Sequence, residues 1–119
     1  MKKLLFILFL GVSLTSFGQT NEQRITDNTN IDVDKFSNLV KGQIPALALT
    51  SEQLAEVRAI FKKKNVAAAG LDPYKMGKLN SVKEYQALEI DALKEAMKVL
   101  TLEQKMAYKK NKEALDSGD

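Results

Sequence analysis

Ionic side chains dominate the chemistry open to this chain, 18 lysines and arginines against 15 aspartates and glutamates, because it contains no histidine, cysteine or tryptophan. Acid–base catalysis near neutral pH favours an imidazole, and nucleophilic or zinc chemistry favours a thiolate or a His/Cys set, so these routes are closed. The carboxylates fall mostly on the solvent sides of helical patterns, close to lysines, and no pair is forced into an apolar site that would drive its pKa values apart. Phosphate loops, nucleotide fingerprints and nucleophile elbows are missing. Asn28, Asn30, Asp32 and Asp34 alternate like the opening of a calcium loop. Counted from Asn30, however, Lys35 takes the glycine position and Lys41 that of the bidentate glutamate. The expectation is a non-enzyme without cofactor or metal.

The sharpest pattern is Leu49-Thr50-Ser51-Glu52-Gln53-Leu54. Thr50 can accept from the Gln53 amide while the Gln53 side chain reaches back to the Thr50 N–H, and Leu49 can staple onto Leu54. Leu100-Thr101-Leu102-Glu103-Gln104 repeats the box, without the staple because Lys105 stands where Leu54 stood. Each box predicts a helix start. A cap directly after Leu100 predicts a sharp bend there rather than a loop.

Around these boxes the chain divides readily. Residues 19–33 are polar, with Ile25 alone apolar up to residue 30, and read as a flexible leader. Phe36, Leu39 and Val40 mark a short helix over 34–41, stopped at Gly42. The helix after Thr50 carries Leu54, Val57, Ile60 and Phe61 on one side and Glu56, Arg58 and Lys62, Lys63 and Lys64 on the other, ending at Gly70 in a left-handed conformation. Asp72-Pro73 and Ser81 with Glu84 are rival starts for the next helix, which from Val82 shows two stripes: Ala87, Ile90, Leu93, Met97 and Leu100 beside Tyr85, Leu88, Ala92, Ala96 and Val99. So wide an apolar face predicts two neighbouring helices, one from a second subunit. The last helix runs from Thr101 past Tyr108 and Leu115. The fold class is all-α, a small helical hairpin of about four helices pairing into a curved homodimer.

The N-terminus has the three zones of an export signal: Lys2-Lys3, an apolar run over residues 4–14, and small residues around Ser16-Phe17-Gly18. A membrane span needs about 20 apolar residues, so cleavage near Gly18 and a periplasmic or secreted product without a stable membrane anchor are expected. The domains are then a signal peptide at 1–18, the leader at 19–33 and a helical domain at 34–116. Losing Lys2 and Lys3 takes the basic count from 18 to 16 against 15 acids, a net charge of +1. Nucleic-acid binding needs a concentrated basic face and is not expected.

Two Leu-Thr-x-x-Gln copies behind an export signal, in a small chain without cysteine, resemble the Spy/CpxP-like periplasmic proteins with their LTxxQ motifs; the resemblance spans roughly residues 45–115. It implies a curved helical hairpin that pairs into a cradle. It also implies a role in envelope stress as an ATP-independent chaperone, a regulator bound to a stress-sensor domain or, in some members, a metal sensor whose usual histidines have no counterpart here. The segment between the motifs is shorter than in the better-known chaperones, and the leader lacks their basic character. A secreted structural module sharing only the caps is the third reading. Leu49, Thr50, Gln53, Leu100, Thr101 and Gln104 are helix-cap residues. Phe61, Tyr85, Met97, Lys62, Lys63 and Lys64 are candidate contacts to unfolded or envelope protein clients, beside roles in the core or on a solvated face.

Overall fold

The computed structural model describes residues 21–71 and 73–118; the expected signal peptide and its cleavage point lie outside them. Among the described residues there are five α-helices and no strand. Helix α1 spans Asn21–Lys41, α2 Ser51–Ala69, α3 Pro73–Met76, α4 Lys78–Val99 and α5 Leu102–Asp116, with a 3-10 turn at Pro45–Leu47.

The first correction concerns the leader, because α1 already begins at Asn21 and residues 21–33 are helical. Its inward stripe is Thr29, Val33, Phe36 and Val40, all buried at spacings of three and four. The stripe escaped the apolar pattern because its first member is polar. The Thr29 hydroxyl donates to the Ile25 carbonyl at 2.7 Å and accepts from Asn65 Nδ2 at 3.1 Å, so its burial leaves no unmet hydrogen bond. The calcium-like alternation falls inside this helix, where residues two apart point to different sides.

Helix α1 stops at Gly42, whose φ of +54° favours a residue without Cβ and whose N–H donates to the Asn38 carbonyl. A Cβ there would sit 2.5 Å from Asn111 Nδ2, an atom that itself donates to the Leu39 carbonyl at 2.7 Å. The stop thus also receives α5. At the far end of α2, Gly70 has φ of −84° and is right-handed, a second correction: its N–H closes onto Ala67 without needing the left-handed region.

Helix α4 starts at Lys78, not at a box formed by Ser81 and Glu84. Gly77, at φ of +88°, precedes it, and the Ser81 hydroxyl donates back to the Lys78 carbonyl from within the first turn. The bend before α5 is as sharp as expected: Leu100 and Thr101 are extended and the next residue is helical.

Helix α1 packs between α2 and α5, and α2 packs between α1 and α4. Phe36 ties these layers together, its ring centroid 5.8 Å from Phe61 in an edge-on contact and 5.4 Å from Tyr108. Val33, Val40, Val57, Leu49 and Leu100 complete the centre. Helix α4 reaches this core through Ala92 and Ala96, small residues that let it lie close on α2, while Leu93, Met97 and Val99 are partly buried beside them. The two stripes read on α4 are therefore reassigned: Tyr85 and Ile90 are exposed. Helices α4 and α5 share no extensive packed interface, and a cleft opens between them.

Candidate functional site: a clasp of two motifs beside a lysine-rimmed groove

Both expected boxes form, and they are built nearly alike. Thr50 has φ, ψ of −71°, 166° and accepts from the Gln53 N–H at 3.1 Å; Thr101 has −72°, 167° and accepts from the Gln104 N–H at 3.2 Å. In return, each threonine N–H donates to its glutamine Oε1 at 2.9 Å. The threonines stand at helix starts because a hydroxyl there satisfies an amide that the helix leaves without a partner.

What the spacing did not reveal is that the two glutamines bind each other. Gln53 Nε2 donates to Gln104 Oε1 at 2.7 Å, and Gln104 Nε2 donates to Gln53 Oε1 at 3.1 Å. The second proton of Gln53 Nε2 goes to the Val99 carbonyl and that of Gln104 Nε2 to the Leu47 carbonyl, each at 3.1 Å. Each amide thus donates twice and accepts twice, the full capacity of the group. Gln104 is buried, so this completeness decides whether the joint stabilises or costs. An isolated capping box works with glutamate or glutamine, but the cross-pair needs a donor and an acceptor on both sides, and only glutamine supplies them. Gln at the third helical position of both copies was the one signal that could have disclosed the pairing. The clasp joins the N-termini of α2 and α5 and contains no nucleophile or titrating group.

A second polar cluster corrects the expected solvent position of Lys64. Its side chain is buried, with Nζ 2.7 Å from Asp32 Oδ2 of α1 and 3.7 Å from Glu89 Oε2 of α4. Asn65 Nδ2 donates to the same Asp32 oxygen at 3.0 Å. The ammonium also lies 5.8 Å from the Phe61 ring centroid and 5.9 Å from that of Tyr85, within cation–π range. The Tyr85 phenol is pushed up to about 12, chiefly by its hydrogen bond to Glu89, then by burial and by the negative charges of Glu89 and Asp32. Arg58 adds a hydrogen bond to Asn30. These contacts fasten α1, α2 and α4 and occupy Asn30 and Asp32; no cluster of three or more candidate metal ligands occurs among the described residues.

The cleft between α4 and α5 forms an open groove. Ile90, Leu93 and Met97 give it an apolar wall, and Lys94, Lys98, Lys105 and Lys109 surround that wall. Across Ile90 and Leu93 it continues toward Phe36, Leu39, Phe61 and Tyr108, with Lys35 and Lys112 at its edge. Lys98 pairs with Glu95 at 2.9 Å and Lys112 with Asp116 at 3.0 Å, both in solvent, whereas Lys94, Lys105 and Lys109 have no carboxylate partner among the described residues. Hydrogen bonding and attraction to Asp116 raise the Lys112 ammonium, and Lys98 in the same way lowers Glu95. Burial first of all raises the Tyr108 phenol.

Of the candidate contact residues, Met97 is at the groove, Lys62 and Lys63 are exposed on α2, and Tyr85 is exposed beside the Lys64 cluster. Phe61 takes the core role open to it, and Lys64 is corrected to an interior residue, because α1 covers the side of α2 that carries them. None of the described helices is long and apolar enough to cross a membrane. No protein-family model, curated protein or solved structure matches the chain.

Proposed function

We propose that the chain is an exported, all-helical binding protein that holds partly unfolded or envelope protein clients in the α4–α5 groove, without nucleotide. The observation that supports this reading is the apolar wall of Ile90, Leu93 and Met97 ringed by four lysines, three of them with no carboxylate partner among the described residues. An apolar strip with uncompensated cations suits segments that are themselves apolar and acidic: charge steers the encounter and apolar contact holds it. The LTxxQ resemblance points to the same role. The exposed Tyr85 on α4, outside the groove wall, supports pairing with a second copy, which light scattering at micromolar concentration tests; a monomer there removes the homodimer.

The function is tested by aggregation of a chemically denatured model client. Suppression at stoichiometric ratio is expected, weakening as salt shortens the electrostatic range below about 8 Å. Ile90→Asp with Met97→Asp, placed on the groove wall, should abolish it while the helical signal is retained. Native chain without protective effect shifts the reading to a regulator of an envelope-stress sensor domain or to a structural module, which a pull-down from envelope extract separates.

A further inference from the structure

The end of the hairpin opposite the groove carries its own uncovered chemistry. Tyr74 on α3 is 98% exposed, and Leu79 and Val82 in the first turns of α4 are 67% and 46% exposed. Lys75, Lys78 and Lys83 are interleaved with them and exposed, and none forms an ion pair among the described residues. Residues 73–83 hold these three cations, and the nearest acids in the sequence are Asp72 and Glu84 at either end. Gly77, at φ of +88°, turns α3 directly into α4, so the aromatic, aliphatic and basic residues lie within ten consecutive positions, 74–83. Leu79, Val82 and Lys83 fall at i, i+3 and i+4, on the side of α4 away from the buried Ser81. At a rise of 1.5 Å per residue, Val82 lies about 12 Å along α4 from Ile90, the nearest residue of the groove wall, so the turn is a surface separate from the groove.

The geometry points to this turn as a peripheral docking surface for an anionic lipid bilayer. The set is one exposed aromatic and two exposed aliphatic side chains interleaved with three exposed lysines. A headgroup layer accepts such a set directly, seating tyrosine and aliphatic side chains at its boundary while lysine stems reach up to the phosphates. The charge is complementary to the negative surface, each nearby lysine contributing about fivefold to partitioning. With so little apolar area the contact is reversible and disappears in high salt.

The chain has no tryptophan, so Tyr74→Trp in the full chain places a sole reporter at the turn. Vesicles of phosphatidylcholine with phosphatidylglycerol should shift its emission to the blue, whereas phosphatidylcholine alone should not. Lys75→Gln with Lys78→Gln and Lys83→Gln should weaken that partitioning on the order of a hundredfold. Met106→Trp, on the exposed face of α5, should show no shift with either lipid. The proposal is overturned by an absent shift, by equal shifts with both lipids, by an unchanged response of the lysine variant, or by an equal response at position 106. A shift with polyglutamate and none with vesicles would overturn it in favour of an acidic protein partner.

Discussion

Gln53 and Gln104, 51 residues apart, exchange two hydrogen bonds of 2.7 and 3.1 Å while each still caps its own helix. The two motifs are therefore halves of one joint, and the start of α5 is held against the start of α2 rather than merely following α4.

Substitution at this joint should be strongly coupled. Gln104→Ala removes a capping side chain and leaves Gln53 Nε2 and the Leu47 carbonyl short of partners, a cost of about 2–4 kcal/mol when cap loss and unmet polar groups are combined. A double-mutant cycle with Gln53→Ala, measured by urea unfolding, should return a coupling of about 0.5–3 kcal/mol. Gln104→Glu should also destabilise, although glutamate suits an isolated box, because a buried carboxylate cannot donate to Leu47 and faces Gln53 Oε1 without a proton between them. Additive single effects would show the two caps to be independent.

The buried ammonium of Lys64 makes an asymmetric prediction. Asp32→Ala strips its 2.7 Å partner and leaves Glu89 at 3.7 Å, so a loss of about 3–5 kcal/mol is expected from a charge buried with too little compensation. Lys64→Met with Asp32→Leu removes both charges and should lie much closer to the parent protein, or exceed it in stability. Denaturant midpoints of the two variants decide the ranking.

Gly42 is constrained twice, by its left-handed backbone and by the approach of Asn111. Gly42→Ala should cost about 1–2 kcal/mol for the backbone alone, with more from displacing the Asn111 amide off the Leu39 carbonyl. Adding Asn111→Ala to that variant should cost less than Asn111→Ala does in the parent protein, because the clash is then already relieved. Thermal unfolding of the four proteins gives the comparison.

Alkaline pH should remove a contribution of Tyr85 to stability. The phenol of Tyr85 is raised from 10.0 to about 12, so the folded chain holds this proton more tightly than the unfolded chain. Its contribution is fully present below pH 10 and is lost as pH rises through 12. Unfolding free energy should fall more steeply over that interval in the parent protein than in Tyr85→Phe. Phenolate absorbance should show a component titrating near 12 that the same substitution removes.

The amino-acid sequence by itself determined the features that close within about one turn of helix: the Thr50 and Thr101 boxes, the stop at Gly42, the break after Leu100 and the all-α class. A cap or a stop needs only neighbours three or four residues away, so composition and spacing suffice to read it. Tertiary packing decided the rest. Residues 21–33 are helical because Thr29 meets Asn65 and Asp32 meets Lys64, partners more than 30 residues away on α2 that no local period displays. Ala92 and Ala96, rather than Tyr85 and Ile90, face the core because α2 comes close enough to favour small side chains there. The glutamine pair follows the same logic: each cap is local, but the partner for its free amide proton and second lone pair exists only once α1 and α2 have brought the start of α5 into place.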